Sequence, residues 1–315
     1  MRHVPVLLKG TLIALQLRPG MNVIDCTLGD AGHSEAVLDE TGPNGMLLGL
    51  DADIESILRA KRYLYRFENR AILVKSNFEY LKKVVDENKF KPVNAILMDL
   101  GWSSPQFEER GRGFSFQKDE PLDMRYDENQ KSKIKNQNEE ESINILETAS
   151  DYVNNLDRVE LAKIFKNYGE EKFYKEISAE IVEKRKVKKI ETTFELVNIV
   201  LEFYRKKFKT DKEIPWIGGI HPATKIFQAL RIAVNRELEI LKTALPEALE
   251  ILAPGGRLAV ITFHSLEDRI VKQYFQKINN KIGKMVNKKP IIAGEEEITN
   301  NPRARSAKLR IIERI

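Results

Sequence analysis

Val23-Ile24-Asp25-Cys26-Thr27-Leu28-Gly29-Asp30-Ala31-Gly32-His33 is the stretch that decides the fold. Two β-branched residues lead into an acid, small residues follow, and Ser34-Glu35-Ala36-Val37-Leu38 continues as a helix-like run. The succession is strand, tight loop and helix start. Glycine lets backbone N–H groups approach a ligand because no Cβ stands between. A helix N-terminus behind the loop supplies free donors. About 20 residues past the loop, the apolar run Met46-Leu47-Leu48-Gly49-Leu50 ends in Asp51, where a nucleotide fold puts the acid that grips ribose hydroxyls. An ordinary βα turn has the same outline, so the loop alone does not decide function.

Working outward, the chain alternates strand-like and helix-like segments up to about residue 101. Ile54, Ile57, Leu58 and Leu64 suggest a helix, Ala71-Ile72-Leu73-Val74 a strand, and Tyr80, Leu81, Val84 and Val85 a short helix face. Val93-Asn94-Ala95-Ile96-Leu97-Met98 is another apolar strand, ending at Asp99. Continuous apolar strands separated by helices imply a parallel sheet covered on both faces, with ligands beyond the carboxyl ends of the strands. Asp25, Asp51 and Asp99 all fall at such ends, which is harder to dismiss than one glycine loop.

From about Asp127 the composition changes. Residues 128–141 are rich in Asn, Lys and Glu and read as a flexible linker. Residues 143–209 read as helices, with Leu161, Ala162, Ile164, Phe165 and Tyr168 on one face and Ile177 and Ile181 on another. This block carries the basic clusters Lys184-Arg185-Lys186-Val187-Lys188-Lys189 and Arg205-Lys206-Lys207-Phe208-Lys209, which suit phosphate contacts or plain solvated surface. After Trp216 the α/β pattern resumes. A helix from about Ala223 carries Phe227, Leu230, Val234, Leu238 and Leu241, with Pro246 expected to break or restart it. Pro254-Gly255-Gly256 turns into the strand Arg257–Phe263, a helix follows Ser265, and Ala307 to Ile312 suit a final strand. The division expected is therefore a core of residues 1–126 and 216–315, interrupted by a linker and helical domain at 127–215.

A chain of 315 residues with 42% hydrophobic and 31% charged residues reads as soluble and globular. No apolar run approaches the roughly 20 residues that span a membrane, and Met1-Arg2-His3-Val4-Pro5 starts no signal peptide. The lone Cys26 forms no internal disulfide and suits a reducing cytoplasm. Four histidines, none at metal-ligand spacing, point to no metal site. The net charge of +5 permits a polyanionic partner without establishing one.

Motifs outside the opening loop carry the rest. Asp99-Leu100-Gly101-Trp102-Ser103-Ser104-Pro105-Gln106 follows the fourth strand; Arg112-Gly113-Phe114-Ser115-Phe116 and Pro121-Leu122-Asp123-Met124-Arg125 come next. His221-Pro222-Ala223-Thr224-Lys225 leads to Phe227-Gln228-Ala229-Leu230-Arg231-Ile232, and Phe263-His264-Ser265-Leu266-Glu267-Asp268-Arg269 follows the fifth strand. Near the end stands Asn301-Pro302-Arg303-Ala304-Arg305-Ser306-Ala307-Lys308-Leu309-Arg310. In this order, and with His3-Val4-Pro5-Val6-Leu7 at the start, these motifs closely resemble the bacterial methyltransferase H family. Its members use S-adenosylmethionine to methylate cytosine N4 in small-subunit ribosomal RNA.

The resemblance implies a class I, Rossmann-like methyltransferase sheet with an inserted helical domain. It implies cofactor contacts at Ala31, Gly32, His33, Asp51, Phe78, Asp99 and Gln106, and ribosomal RNA, within the small ribosomal subunit, as partner, with no membrane and no obligatory protein partner. Cys26 and Ala31 stand where that family usually has glycine, and Trp102 where it has a smaller aliphatic. Alanine at positive φ is penalised by roughly 1 kcal/mol or more, so Ala31 bears on the loop's geometry.

The residues also support the chemistry directly. Asp51 suits two ribose hydroxyls and Phe78 an adenine ring. Cytosine N4 is a poor nucleophile that gains positive character as it attacks, so nearby acceptors lower the barrier. Asp99 and the 101–105 turn are placed to provide them, with Ser103 or Ser104 orienting the base. His264, at a strand end, either touches substrate or caps the next helix; Glu267 and Asp268 read as helix N-terminal carboxylates. Arg303, Arg305, Lys308 and Arg310 suit phosphates. Two other classes compete. A nicotinamide dehydrogenase shares the strand, loop and ribose acid, but Gly29-Asp30-Ala31-Gly32 does not match G-x-G-x-x-G. A non-enzymatic RNA-binding or ribosome-assembly module is the other.

Overall fold

The computed structural model describes residues 4–101, 111–126, 132–134, 144–210, 212, 214 and 220–315. Ser103, Ser104 and Gln106, and most of the expected linker at 128–141, lie outside the described residues. The elements run α1 (Leu8–Leu15), β1 (Val23–Asp25), α2 (Gly32–Glu40), β2 (Leu47–Asp51), α3 (Ile54–Tyr63), β3 (Ala71–Lys75), α4 (Leu81–Glu87) and β4 (Val93–Asp99). Then come β5 (Ser132–Ile134), β6 (Asn144–Leu146), α5 (Ala149–Asn155), α6 (Arg158–Asn167), α7 (Tyr174–Arg185), α8 (Thr193–Phe208) and α9 (Thr224–Asn235). The last are α10 (Glu237–Ile251), β7 (Leu252–Thr262), α11 (Ser265–Ile278), β8 (Gly283–Met285), α12 (Glu295–Asn300) and β9 (Lys308–Arg314).

Contacts divide these elements into two compact units, residues 1–103 with 238–315, and residues 104–237. The first holds a seven-stranded sheet in the order β3-β2-β1-β4-β7-β9-β8. The first five of these strands pair parallel, whereas β9 runs antiparallel to both β7 and β8. Continuous apolar strands fold this way because each face needs a cover. Ile24, Leu48, Ile96, Leu258 and Val260 pack with Leu81, Val84, Leu241, Leu245, Val271 and Phe275 on one face. Val23, Leu47, Ala95, Leu97, Ala259 and Ile261 pack with Ala14, Val37, Leu38, Ile57 and Ala60 on the other. In α3 the buried face is Ser56, Ile57 and Ala60, and Asp53 caps its start by accepting from Glu55 N–H (3.1 Å) and Ser56 N–H (3.0 Å). Ile54 and Leu58, two of the residues that suggest this helix in the sequence, are each 46% exposed.

The 104–237 unit carries α5 to α9, with three helix starts closed by reciprocal caps at Thr148, Asp157 and Thr192. Its boundaries fall outside the expected 127–215 for a local reason. Gly113 N–H donates to Glu120 Oε2 (3.0 Å) and Glu120 N–H to Thr193 Oγ1 (3.1 Å), fastening 113–120 to α8. Asn235 Nδ2 donates to the Met124 carbonyl (2.7 Å), while Asn235 Oδ1 accepts from Tyr126 N–H (2.9 Å). Those bonds also fix where the expected long helix breaks. The break is at Arg236 (φ 51°), and Pro246 lies inside α10. Among the residues expected as linker, 132–134 pair antiparallel with 144–146.

Four of the nine cations in the insert's basic clusters pair with glutamates of the same unit. Lys184 pairs with Glu202 (2.6 Å), Lys186 with Glu183 (2.7 Å), Lys188 with Glu195 and Lys206 with Glu180. Arg185 donates to the carbonyls of Val153 (2.8 Å) and Leu156 (2.6 Å). Two quoted motifs meet here as well: the Phe116 ring lies 4.8 Å from both His221 and Phe227.

Candidate active site

Asp25, Asp51 and Asp99 are the last residues of β1, β2 and β4, neighbouring parallel strands whose carboxyl ends point the same way. The loop after β1 folds back over them. Cys26 N–H donates to the Leu97 carbonyl (2.9 Å) and Leu28 N–H to the Leu50 carbonyl (2.9 Å). Thr27 Oγ1 accepts from Asp99 N–H (2.7 Å). Gly49 belongs to the same packing, since a Cβ there would stand 2.8 Å from Leu28 Cδ1.

Asp51 accepts from Gly29 N–H (2.9 Å) and Asp53 N–H (2.9 Å), so the second strand end grips the loop of the first. Burial pushes its carboxyl up to about 6 in spite of those two donors. A carboxylate that retains acceptor capacity under this pressure gains from further O–H donors. Arg59 braces the loop from beneath, donating from Nε to Asp30 Oδ1 (2.9 Å) with Nη2 3.8 Å from Asp53.

Ala31 occupies the left-handed region (φ 57°) as the residue before α2, so the strain expected at this position is present. Gly32 begins the helix beneath Pro5, and a Cβ at 32 would lie 3.0 Å from Pro5 Cγ. A side chain at 32 would therefore press on Pro5, which would have to give by a few tenths of an ångström. Phe78 opens a short 3₁₀ turn capped by Asn77 and packs half-buried against the core.

His33 and Asp99 form the least satisfied pair. His33 is 6% exposed, and its Nε2 lies 3.5 Å from Asp99 Oδ2. Among the described residues, neither imidazole nitrogen makes a well-formed hydrogen bond, although the Asp99 carboxylate and the Val6 backbone lie close enough to favour the protonated ring, and the buried Asp99 Oδ1 has no donor. Asp25 beside them is satisfied, accepting from Ser34 Oγ (2.7 Å) and Thr27 N–H (3.1 Å), and burial raises its carboxyl above the usual range. Burial also pushes the Cys26 thiol well up, which makes it an inert filler.

His264 is the N-cap of α11. Its Nδ1 accepts from Glu267 N–H (3.4 Å), and Glu267 reaches back to Phe263 N–H (2.8 Å) and His264 N–H (3.3 Å). Asp268 does more than sit in the first turn: its oxygens accept from Arg310 Nε (2.7 Å) and Lys308 Nζ (3.3 Å). Burial alone would raise its carboxyl, but those two cations hold it below the usual range. Arg310 is thus 4% exposed and structural, which removes it from the phosphate contacts expected of the carboxyl-terminal run. Gly101 (φ 114°) turns the chain after β4 at a positive φ that L side chains rarely adopt, and a Cβ there would stand 3.1 Å from the Phe263 ring. The sequence reading missed Thr27, Ser34 and Arg59. The first two adjoin quoted acids, whereas nothing in its own surroundings marks Arg59.

The sheet, with a reversed strand between its fifth and last members and acids at three neighbouring strand ends, defines a class I, Rossmann-like, S-adenosylmethionine-dependent methyltransferase core. More narrowly, residues 1–315 match the model of the MraW methylase family, and the chain belongs to it. The ribosomal RNA small subunit methyltransferase H of Dehalococcoides mccartyi is 42% identical, with 99% of this chain and 86% of that protein covered. The protein of the same name from Brevibacillus brevis is 41% identical, covering 99% and 98%. An rRNA methylase structure from Streptococcus thermophilus aligns at a TM-score of 0.44 and 10% identity, covering 100% and 99%.

Proposed function

We propose that this protein transfers a methyl group to the exocyclic N4 of one cytidine in small-subunit ribosomal RNA, near the decoding centre. Relatives named for ribosomal RNA methylation support the class of substrate. The observation that carries the chemistry is the buried Asp99 Oδ1 at the end of β4, which has no donor among the described residues, because a buried acceptor without a donor is costly unless a ligand supplies one. The cofactor, S-adenosylmethionine, supplies an electrophilic methyl on a sulfonium.

The residues fit that cofactor. Asp51 would accept from the ribose hydroxyls, Phe78 would lie on the adenine, and the backbone of Ala31, Gly32 and His33 would hold the methionine part. Gln106 is proposed as a further contact on the resemblance alone. Asp99 has two roles open to it, one toward the cofactor and one toward the N4 hydrogens. The methyl would pass to N4 with the sulfonium leaving as a neutral sulfide, and the proton that N4 then loses would go to a neighbouring acceptor, Asp99 or solvent. Acceptors beside N4 stabilise the charge developing there, and in-line placement of N4, methyl and sulfur supplies much of the remainder. Ser103 and Ser104 are proposed to orient the base. His264, fixed as a helix cap, is retained only as a candidate substrate contact. The base must leave its stack, at a cost of a few kcal/mol that contacts to flanking nucleotides offset; the helical unit is proposed to provide them.

Incubating small-subunit RNA with labelled cofactor and digesting it to nucleosides tests the assignment. Label on cytidine N4 is expected. Label on cytosine C5, on a ribose 2′ oxygen or on another base overturns it, and binding without turnover favours the ribosome-assembly reading.

A further inference from the structure

The reaction as drawn uses the His33 backbone and gives its imidazole nothing to do. Yet that ring is buried, second in α2, with neither nitrogen in a well-formed hydrogen bond among the described residues, beside an Asp99 Oδ1 that equally lacks a donor among them. A neutral imidazole has one donor and one acceptor, and leaving both unmet in the interior is expensive. The partner within reach is Asp99 Oδ2, at 3.5 Å from Nε2, a separation that a small side-chain rotation closes to a charge-assisted hydrogen bond.

The charged groups around the ring come from each element packed on it. β4 contributes Asp99 and β1 contributes Asp25, whose own oxygens are held by Ser34 and Thr27. The described segment before α1 brings no charged side chain, but the backbone of Val6, itself 1% exposed, favours the protonated ring. In α2 itself, Glu35 is turned to Arg66 (3.2 Å). Burial pulls the imidazole toward its neutral form, and the Asp99 and Asp25 carboxylates, with the Val6 backbone, more than reverse this, leaving its affinity for a proton above the ordinary value.

We propose that His33 is a positioning residue: as an imidazolium it holds Asp99 Oδ2 inward and thereby aims Asp99 Oδ1 at the reacting groups. The inference rests on Asp99 acting beside the transferred methyl, as proposed above. It gives the ring a definite pH behaviour. The cation is complete below its raised pKa and is lost as pH rises through it, so turnover falls on the alkaline side.

The test begins without RNA. The chain has four histidines, so ¹⁵N-detected titration of the full-length protein resolves them, and His33→Gln identifies the His33 signal by its loss. His33 is expected to titrate above the free value of about 6.5 and to fall by a pH unit or more in Asp99→Asn. In turnover assays, His33→Gln is expected to lower kcat at least tenfold, to keep KM for S-adenosylmethionine within threefold and to abolish the alkaline limb. Titration at or below the free value, no shift in Asp99→Asn, or an alkaline limb surviving in His33→Gln would each overturn the proposal. Should His33→Gln not fold, assignment through selective labelling and the shift in Asp99→Asn decide alone. A target atom other than cytidine N4 defeats the proposed function and leaves the titration standing.

Discussion

Two clusters of buried charge lie in the α/β unit, and they behave differently. In Asp268–Arg310–Lys308, both carboxylate oxygens are met by cations from β9. In His33–Asp99, three polar atoms have no well-formed hydrogen bond among the described residues although the ring is buried. The first cluster meets both oxygens of its acid within the protein and leaves one Arg310 nitrogen, Nη1, without a partner among the described residues, whereas the second leaves an oxygen of its acid without a donor and needs one from outside. Residue type does not separate them, since each joins an acid to a base. What separates them is whether the surrounding backbone and side chains supply donors in sufficient number.

Asp99→Ala is the largest expected effect, lowering methyl transfer at least a thousandfold in a single-turnover assay while leaving the melting temperature near that of the parent. Asp99→Asn then divides the two roles: retained cofactor affinity with lost turnover assigns Asp99 to substrate, and loss of both assigns it to cofactor. Asp268→Ala should do the reverse. It leaves Arg310 buried without its carboxylate, so destabilisation of about 3–5 kcal/mol is expected, read by urea unfolding. A destabilised Asp99→Ala, or an unaffected Asp268→Ala, would erase the contrast between the clusters.

The third prediction sharpens the contrast through pH. Asp51 has a carboxyl raised to about 6 by burial, and ribose hydroxyls favour its ionised form. Cofactor affinity should therefore fall as pH drops below about 6, approaching tenfold per unit, and Asp51→Asn should bind weakly with a flat profile. Calorimetry across pH 4.5–8 checks this. The sign for stability is opposite: because the folded value lies above the unfolded one, this group favours folding at acidic pH, and that contribution is lost as pH rises through about 6.

Fourth, Lys184, Lys186 and Lys188 already have glutamate partners, and exposed pairs contribute only about 0–1 kcal/mol. Changing all three to Gln should leave the salt dependence of RNA binding unchanged. A log–log slope shallower by two or three would show that the pairs open to phosphate. Smallest is Ala31→Gly, which relieves a positive φ at about 1 kcal/mol but loosens the unfolded chain by a similar amount. A shift of no more than about 2 °C in melting temperature is expected.

Legibility followed the same division. Strands β1 to β4 could be read because buried parallel strands are continuous apolar runs, and each of three ends in an acid. Partnering could not be read. Arg310 looked like a phosphate ligand until β9 placed it on Asp268, and the helical unit's margins depend on side-chain bonds from Asn235 and Glu120. The helix break shows the limit of local rules: Pro246 is tolerated within α10, while the turn comes at Arg236, beside Asn235, whose side chain is held from more than a hundred residues away. The order β8 before β9, with β9 slotted inside, has no local signature in either short segment.

That strand order also sets a schedule for synthesis. Strand β4 pairs with β1 on one side and with β7 on the other, and the 104–237 unit is made between them. At translation rates of about 5–20 residues per second, the nascent sheet waits roughly 10–30 s with a central apolar strand open along one edge. Such an edge is a template for pairing with other chains. Newly made protein should accordingly be most vulnerable to aggregation, and most dependent on chaperones, during the interval before β7 leaves the ribosome.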